Sequence, residues 1–184
     1  VKNLENSITY KRVTNNEELH QILELQQANK IESISKEERI SQGFVTVNHS
    51  FDILKAMNGA CAHIIAKSDS QVIGYALCMT QEFKDSIQVL APMFKTINCS
   101  IKKSINYIIM GQICIEKRFR QQGVFRGLYN FMMQELNLNF DAVITEVDTN
   151  NKRSLYAHKA IGFELLKTYK SNNQEWELLI WHWE

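Results

Sequence analysis

Between Arg118 and Gly127 the chain reads RFRQQGVFRG, with three arginines, two glutamines and two glycines in ten residues. That mixture suits the holding of an anion. A helix that starts near Gly123 leaves its first amide N–H groups without intrahelical partners. With the helix dipole they form a site for phosphate oxygens. Gly123 allows close approach of backbone to ligand and dihedrals that other residues avoid. Arg120 and Arg126 can add charge-assisted hydrogen bonds. The competing reading is a glycine-containing loop with solvated arginines. Neither a nucleotide P-loop, G-x-x-x-x-G-K-[ST], nor the dinucleotide fingerprint G-x-G-x-x-G is present.

Other chemistries find little support. The four cysteines, Cys61, Cys78, Cys99 and Cys114, include no C-x-x-C pair, and the five histidines no H-x-x-x-H pair. No metal is expected, and the cysteines fit a reduced compartment better than a disulfide framework. Cys114, in an apolar run, reads as a small core residue rather than a nucleophile. The net charge of +1, and a densest basic cluster of only Lys117, Arg118 and Arg120, argue against nucleic acid or an anionic membrane as partner. No run of ~20 apolar residues could span a bilayer, and VKNLENSITYKRV carries no apolar signal region. A soluble, cytoplasmic protein is expected. The 184 residues, 45% hydrophobic and 22% charged, are read as one domain spanning residues 1–184.

The elements that would position the loop follow from periodicity. ITYKRVT reads as a strand. NNEELHQILELQQANK reads as a helix with Asn15 or Asn16 as N-cap. SKEERI and SFDILKAMN read as short helices, each opened by serine. CAHIIAK and VIGYALCMT form an antiparallel pair across SDSQ. A helical segment over about 86–97 leads to the central strand INYIIMGQICI. After the loop, VFRGLYNFMMQELN has apolar residues at helical intervals. DAVITEV is a buried strand and NKRSLYAHKAIG a helix that ends at Gly162. FELLKTY and EWELLIWHW form a terminal strand pair. Strands mixed with helices indicate an α/β (α+β) domain with a mixed sheet.

Two segments carry a resemblance. ICIEKRFRQQGVFRGLY is similar to the signature of the GNAT superfamily of N-acetyltransferases, a strand, a loop of pattern [QR]-x-x-G-x-[GA], and a helix. Arg120 and Gly123 match that pattern, whereas Phe125 replaces the small residue. NKRSLYAHKAIGF resembles the family's later helix, which opens with asparagine and closes with Gly-Phe. The resemblance implies a mostly antiparallel central sheet, splayed between two strands and flanked by helices.

It also implies a chemistry. Acetyl-CoA, or a related acyl-CoA, would be the cosubstrate, with its pyrophosphate cradled by backbone N–H groups of Gln121, Gln122, Gly123, Val124, Phe125 and Arg126. Its pantetheine arm would lie between GQICI and ITEVD, paired with backbone of Ile113 and Ile115. One strand N–H would polarise the thioester carbonyl. Asn151 would contact the cofactor, a role compatible with service as N-cap. An amine would attack the thioester directly, after losing a proton to a base or by desolvation. His158 stands where many family members carry a tyrosine that protonates the departing thiolate, and imidazole near its ordinary pKa could trade a proton at neutral pH. Tyr156, two residues earlier, points about 160° away on the helix. Ile109 stands where some members carry a glutamate; Glu146 and Asp148 are base candidates by location alone.

The function implied is transfer of an acetyl group to a primary amine, with a small-molecule or peptide amine as acceptor. The alternative is a non-catalytic acyl-CoA-binding or sensing module. The acceptor site would be built from about residues 16–58 and KSNNQ, with the insertion at about 81–104 as a cover. LLIWHW could pair with a second subunit, as a homodimer, if it lies at a sheet edge, or could equally be covered within the monomer.

Overall fold

The computed structural model describes residues 7–30 and 47–183. Among them, seven strands form a single sheet: β1 (Ile8–Arg12), β2 (Ile64–Ser68), β3 (Gln71–Met79), β4 (Tyr107–Ile115), β5 (Ala142–Asp148), β6 (Glu164–Ser171) and β7 (Gln174–His182). Their order is β1-β2-β3-β4-β5-β7-β6. Every neighbouring pair is antiparallel except β4 and β5, which run parallel. Among the described residues five α-helices accompany the sheet: α1 (Asn16–Ala28), α2 (Phe51–Ala60), α3 (Ala91–Ser100), α4 (Val124–Leu136) and α5 (Lys152–Ile161).

Strand alternation divides the core between the two faces. Ala142 and Ile144 of β5 join Leu19, Ile22, Leu54 and Ile97 in the cluster that includes α1, α2 and α3. Val143 and Val147 of the same strand join Leu128, Met132 and Leu155 of α4 and α5 on the other face. Local chemistry starts the helices. The side chain of Asn15 accepts from the Glu18 N–H at 3.0 Å, and Ser50 accepts from the Ile53 N–H at 3.3 Å. Each satisfies one of the donors orphaned at a helix start.

The feature that matters most for a site is the short reach of the parallel pairing. β4 and β5 pair only through Tyr107, Ile108 and Ile109 opposite Ala142, Val143 and Ile144. On its other edge β4 has Met110 opposite Cys78 but Ile113 opposite Ala76, so one extra residue is accommodated at Gly111–Gln112. Such a bulge bends and twists its strand. At the point of divergence the Thr145 hydroxyl donates to the Met110 carbonyl at 2.9 Å. From there to Ile115 and Asp148 the strands are open to each other, the splay that the resemblance implied.

The sequence-based elements return with small shifts. The segment over about 86–97 begins later as an α-helix, at Ala91, with Pro92 in its first turn after two short 3₁₀ turns. Proline fits there because the first turn needs no N–H from it. SKEERI lies outside the described residues. β7 is an inner strand between β5 and β6, so LLIWHW is not a sheet edge and the dimer route through it is closed. No helix among the described residues is long and apolar enough to cross a membrane.

Candidate active site

The loop from Arg118 to Gly123 is held by its side chains and shaped by its backbone. Arg120 donates from Nε to the Ile115 carbonyl at 3.1 Å and from Nη2 to the Asn29 side chain, which ties the loop to the ends of β4 and α1. Arg126 donates to the Ala160 carbonyl at 2.8 Å and joins α4 to α5. Both arginines thus serve the scaffold. Gln121 takes φ 63° and Gly123 φ 80°, left-handed conformations that turn the chain into α4. The first bond of the helix runs from the Gly127 N–H to the Gly123 carbonyl at 2.9 Å. The N–H groups of Val124, Phe125 and Arg126 therefore precede the helical ladder. A Cβ at Gly123 would meet nothing within 4 Å, so the space over this helix start is open.

That space continues as a groove of about 240 Å³. Gln121, Gly123, Val124 and Phe125 line its loop end, Ile113 and Ile115 its β4 wall, and Asn151, Arg153 and Ser154 its α5 wall. Seven of the nine residues expected to hold the cofactor thus share one concavity; Gln122 and Arg126 adjoin it in the chain. Asn151 caps α5, its side chain accepting from the Ser154 N–H at 3.3 Å. The Phe125 ring turns away from the helix start. It stacks edge-on against His158 at 5.0 Å and Tyr129 at 5.2 Å between centroids, and packs with the α4–α5 core.

A second cleft of about 80 Å³ opens inside the splay. Gly111, Gln112, Thr145 and Glu146 line it from the two strands, and Val47 and Trp176 from outside them. Ile113, Asn151 and Ser154 line both concavities, and these three shared residues are the junction between them. Gln112 anchors the outer wall: it donates to the Val47 carbonyl at 2.8 Å and accepts from Tyr75 at 2.6 Å and Gln26 at 2.8 Å. Gln26 in turn accepts from the His49 N–H at 3.0 Å.

Glu146 is the ionisable group whose setting stands out there. Desolvation pushes its carboxyl up from 4.5 to about 7, although the Tyr169 hydroxyl, which donates to it, favours the charged form. A carboxylate with that pKa is half ionised at neutral pH and matched to proton abstraction. Asp148, its neighbour, is committed to structure: it accepts from the Asn150 N–H at 2.8 Å and the Gln174 amide at 3.0 Å. Burial pushes the Cys114 thiol up to about 12, which leaves it protonated. Ile109 sits in the paired part of β4, 1% exposed in the core, and does not face the cleft.

His158 is 1% exposed. Desolvation pushes its pKa down to about 4, against the bond to Ser154, so the imidazole is neutral rather than poised near pH 7 as expected. Nδ1 lies 2.7 Å from the Ser154 carbonyl and Nε2 2.7 Å from the Tyr129 hydroxyl. A carbonyl oxygen only accepts, so Nδ1 bears the hydrogen and Nε2 accepts from the phenol. Tyr156 is 71% exposed and points away. Of the groups here, Glu146 carried a legible signal, a charge inside the buried strand AVITEVD; Tyr129, Tyr169 and Ser154 carried none.

A family model described as Acetyltransferase (GNAT) family matches residues 19–163. No curated protein sequence matches the chain. Solved structures share the fold at low identity. A chain of the NatC complex bound to Gag peptide and CoA is 15% identical with a TM-score of 0.67, over 96% of this chain and 98% of that one. The ribosomal-protein-S18-alanine N-acetyltransferase from Escherichia coli is 10% identical with a TM-score of 0.65, over 96% and 94%. Arabidopsis thaliana Naa50 in complex with the bisubstrate analogue CoA-Ac-MVNAL is 15% identical with a TM-score of 0.66, over 95% and 98%.

Proposed function

The chain belongs to the GNAT acetyltransferase family, and from that premise we propose that it moves an acetyl group from acetyl-CoA to a primary amine by direct attack. The observation that carries this reading is that the two concavities adjoin, with Ile113, Asn151 and Ser154 lining both. One begins at an open helix start and the other holds a carboxyl near pKa 7.

In this reading the pyrophosphate rests on backbone N–H groups of residues 121–126, where the helix dipole and orphan donors favour negative charge. The pantetheine arm follows Ile113 and Ile115 along the open edge of β4. The thioester sits at the junction, where a β4 N–H polarises its carbonyl. An alkyl ammonium with a pKa of roughly 10 is almost wholly protonated at pH 7, so a base is needed. Glu146 takes that proton, directly or through one water. The amine nitrogen then bonds to the carbonyl carbon and gives up its second proton to water, and the C–S bond breaks with its electron pair left on sulfur. His158, neutral and buried behind Ser154, acts on the leaving side of the same junction rather than as the base.

The acceptor is a small-molecule or peptide amine. Two of the structural relatives are described with peptide or peptide-like ligands, which favours testing peptides first. The experiment is release of CoA thiol from acetyl-CoA over a panel of peptide and small amines, with mass detection of the product. Turnover of an amine, lost in Glu146→Gln, is expected. CoA binding with no turnover across the panel would favour an acyl-CoA sensor instead.

A further inference from the structure

Three residues are shared by the cofactor groove and the inner cleft, and a thioester that reaches from one to the other must pass them. Ile113 brings an apolar side chain and backbone. Asn151 turns its side-chain oxygen to the Ser154 N–H. Ser154 brings a hydroxyl, on the first turn of α5. We propose that the Ser154 hydroxyl donates the hydrogen bond that stabilises the departing thiolate, with His158 as the positioning residue behind it.

The hydrogen-bond pattern around His158 decides which way that hydroxyl can point. Nδ1 lies 2.7 Å from the Ser154 carbonyl and 3.3 Å from Ser154 Oγ. The carbonyl contact requires hydrogen on Nδ1, since two acceptors at that distance would repel. Nε2 is therefore the acceptor, and it is occupied by Tyr129, whose phenol burial keeps protonated. With its hydrogen on Nδ1, His158 can only donate to Oγ and has no lone pair for the serine hydrogen. Ser154 Oγ is thus oriented by an N–H at its back, and its own hydrogen is left for the junction. His158 itself presents no N–H there, because both nitrogens are engaged within the α4–α5 core.

The inference rests on the acetyltransferase reading and adds the group that meets the sulfur. As the C–S bond breaks, its electron pair stays on sulfur and Ser154 donates to the resulting thiolate; the proton that completes CoA comes from water on release. A hydrogen bond to a charged acceptor is among the stronger ones in proteins.

The decisive measurement is the thiol pKa of bound CoA, read by the ultraviolet absorbance of the thiolate in wild type, Ser154→Ala and Ser154→Thr. The charged groups near the junction, Arg120 and Arg153 beside the groove and Glu146 and Asp148 in the cleft, are common to all three proteins. The thiol pKa is expected to rise by about one unit in Ser154→Ala and to return in Ser154→Thr. Turnover should fall about tenfold in kcat for the alanine variant, with KM for acetyl-CoA unchanged. A thiol pKa equal in wild type and Ser154→Ala, with CoA bound to both, overturns the serine assignment and leaves the acetyltransferase reading standing. Failure of wild type to bind CoA at all overturns both.

Discussion

Glu146→Gln tests the base through stability as well as activity. A carboxyl whose folded pKa lies above its unfolded value costs stability when it ionises. The cost is absent below the unfolded pKa, grows as pH rises, and is complete above the folded pKa. For Glu146 that window runs from 4.5 to about 7. Each unit is worth ~1.36 kcal/mol, so the shift from 4.5 to about 7 corresponds to about 3 kcal/mol at most. Water that reaches the cleft brings this nearer to about 2 kcal/mol. Glutamine keeps an acceptor for the Tyr169 hydroxyl and carries no charge to desolvate. Wild type should therefore lose ground to Glu146→Gln between pH 5 and pH 8, by about 2 kcal/mol in urea unfolding or about 4–8 °C in melting temperature. Over the same range log kcat/KM of wild type should climb and level near pH 7, and that limb should vanish with activity in the variant. Stability curves that stay parallel from pH 5 to pH 8 would show that Glu146 ionises as if in water, and the base assignment would lose its physical ground.

Tyr169→Phe removes the hydroxyl that favours the charged form of Glu146. The ascending limb of the kcat/KM profile should move to higher pH, by up to about one unit, and an unmoved limb would detach Tyr169 from the chemistry. Gly123→Ala places a methyl in the open space over the helix start and forces alanine to φ 80°. The left-handed conformation costs about 1 kcal/mol in urea unfolding. The expected functional effect is a rise of about tenfold or more in KM for acetyl-CoA with kcat little changed. If KM stays put, the phosphates lie elsewhere.

Much of this architecture is legible in the chain because its signals are local. Asn15 and Ser50 mark helix starts, the period of VFRGLYNFMMQEL fixes the buried face of α4, and Gly162 closes α5. The site is legible only up to its backbone. Whether Glu146 faces open solvent or a narrow cleft depends on where β4 leaves β5, and that departure depends on the extra residue at Gly111–Gln112, far away in the chain. Phe125 shows the same limit from the other side. It breaks the small-residue pattern of the loop, yet its ring finds His158 and Tyr129 and leaves the helix start clear. His158 in turn becomes an interior residue through Tyr129, a partner on another helix that no spacing announces.

Burial explains why the two most suggestive side chains have different prospects. Desolvation disfavours whichever form is charged. It pushes the Glu146 carboxyl up towards 7, where the carboxylate is a stronger base than an exposed one and still half populated at neutral pH. It pushes His158 down to about 4, where the imidazolium needed for acid catalysis is scarce. The same desolvation thus improves a carboxylate as a proton acceptor and removes a histidine as a proton donor. A leaving thiolate beside His158 must then be served by a neutral donor whose hydrogen is not already committed, and at the junction of the two concavities the Ser154 hydroxyl meets that condition.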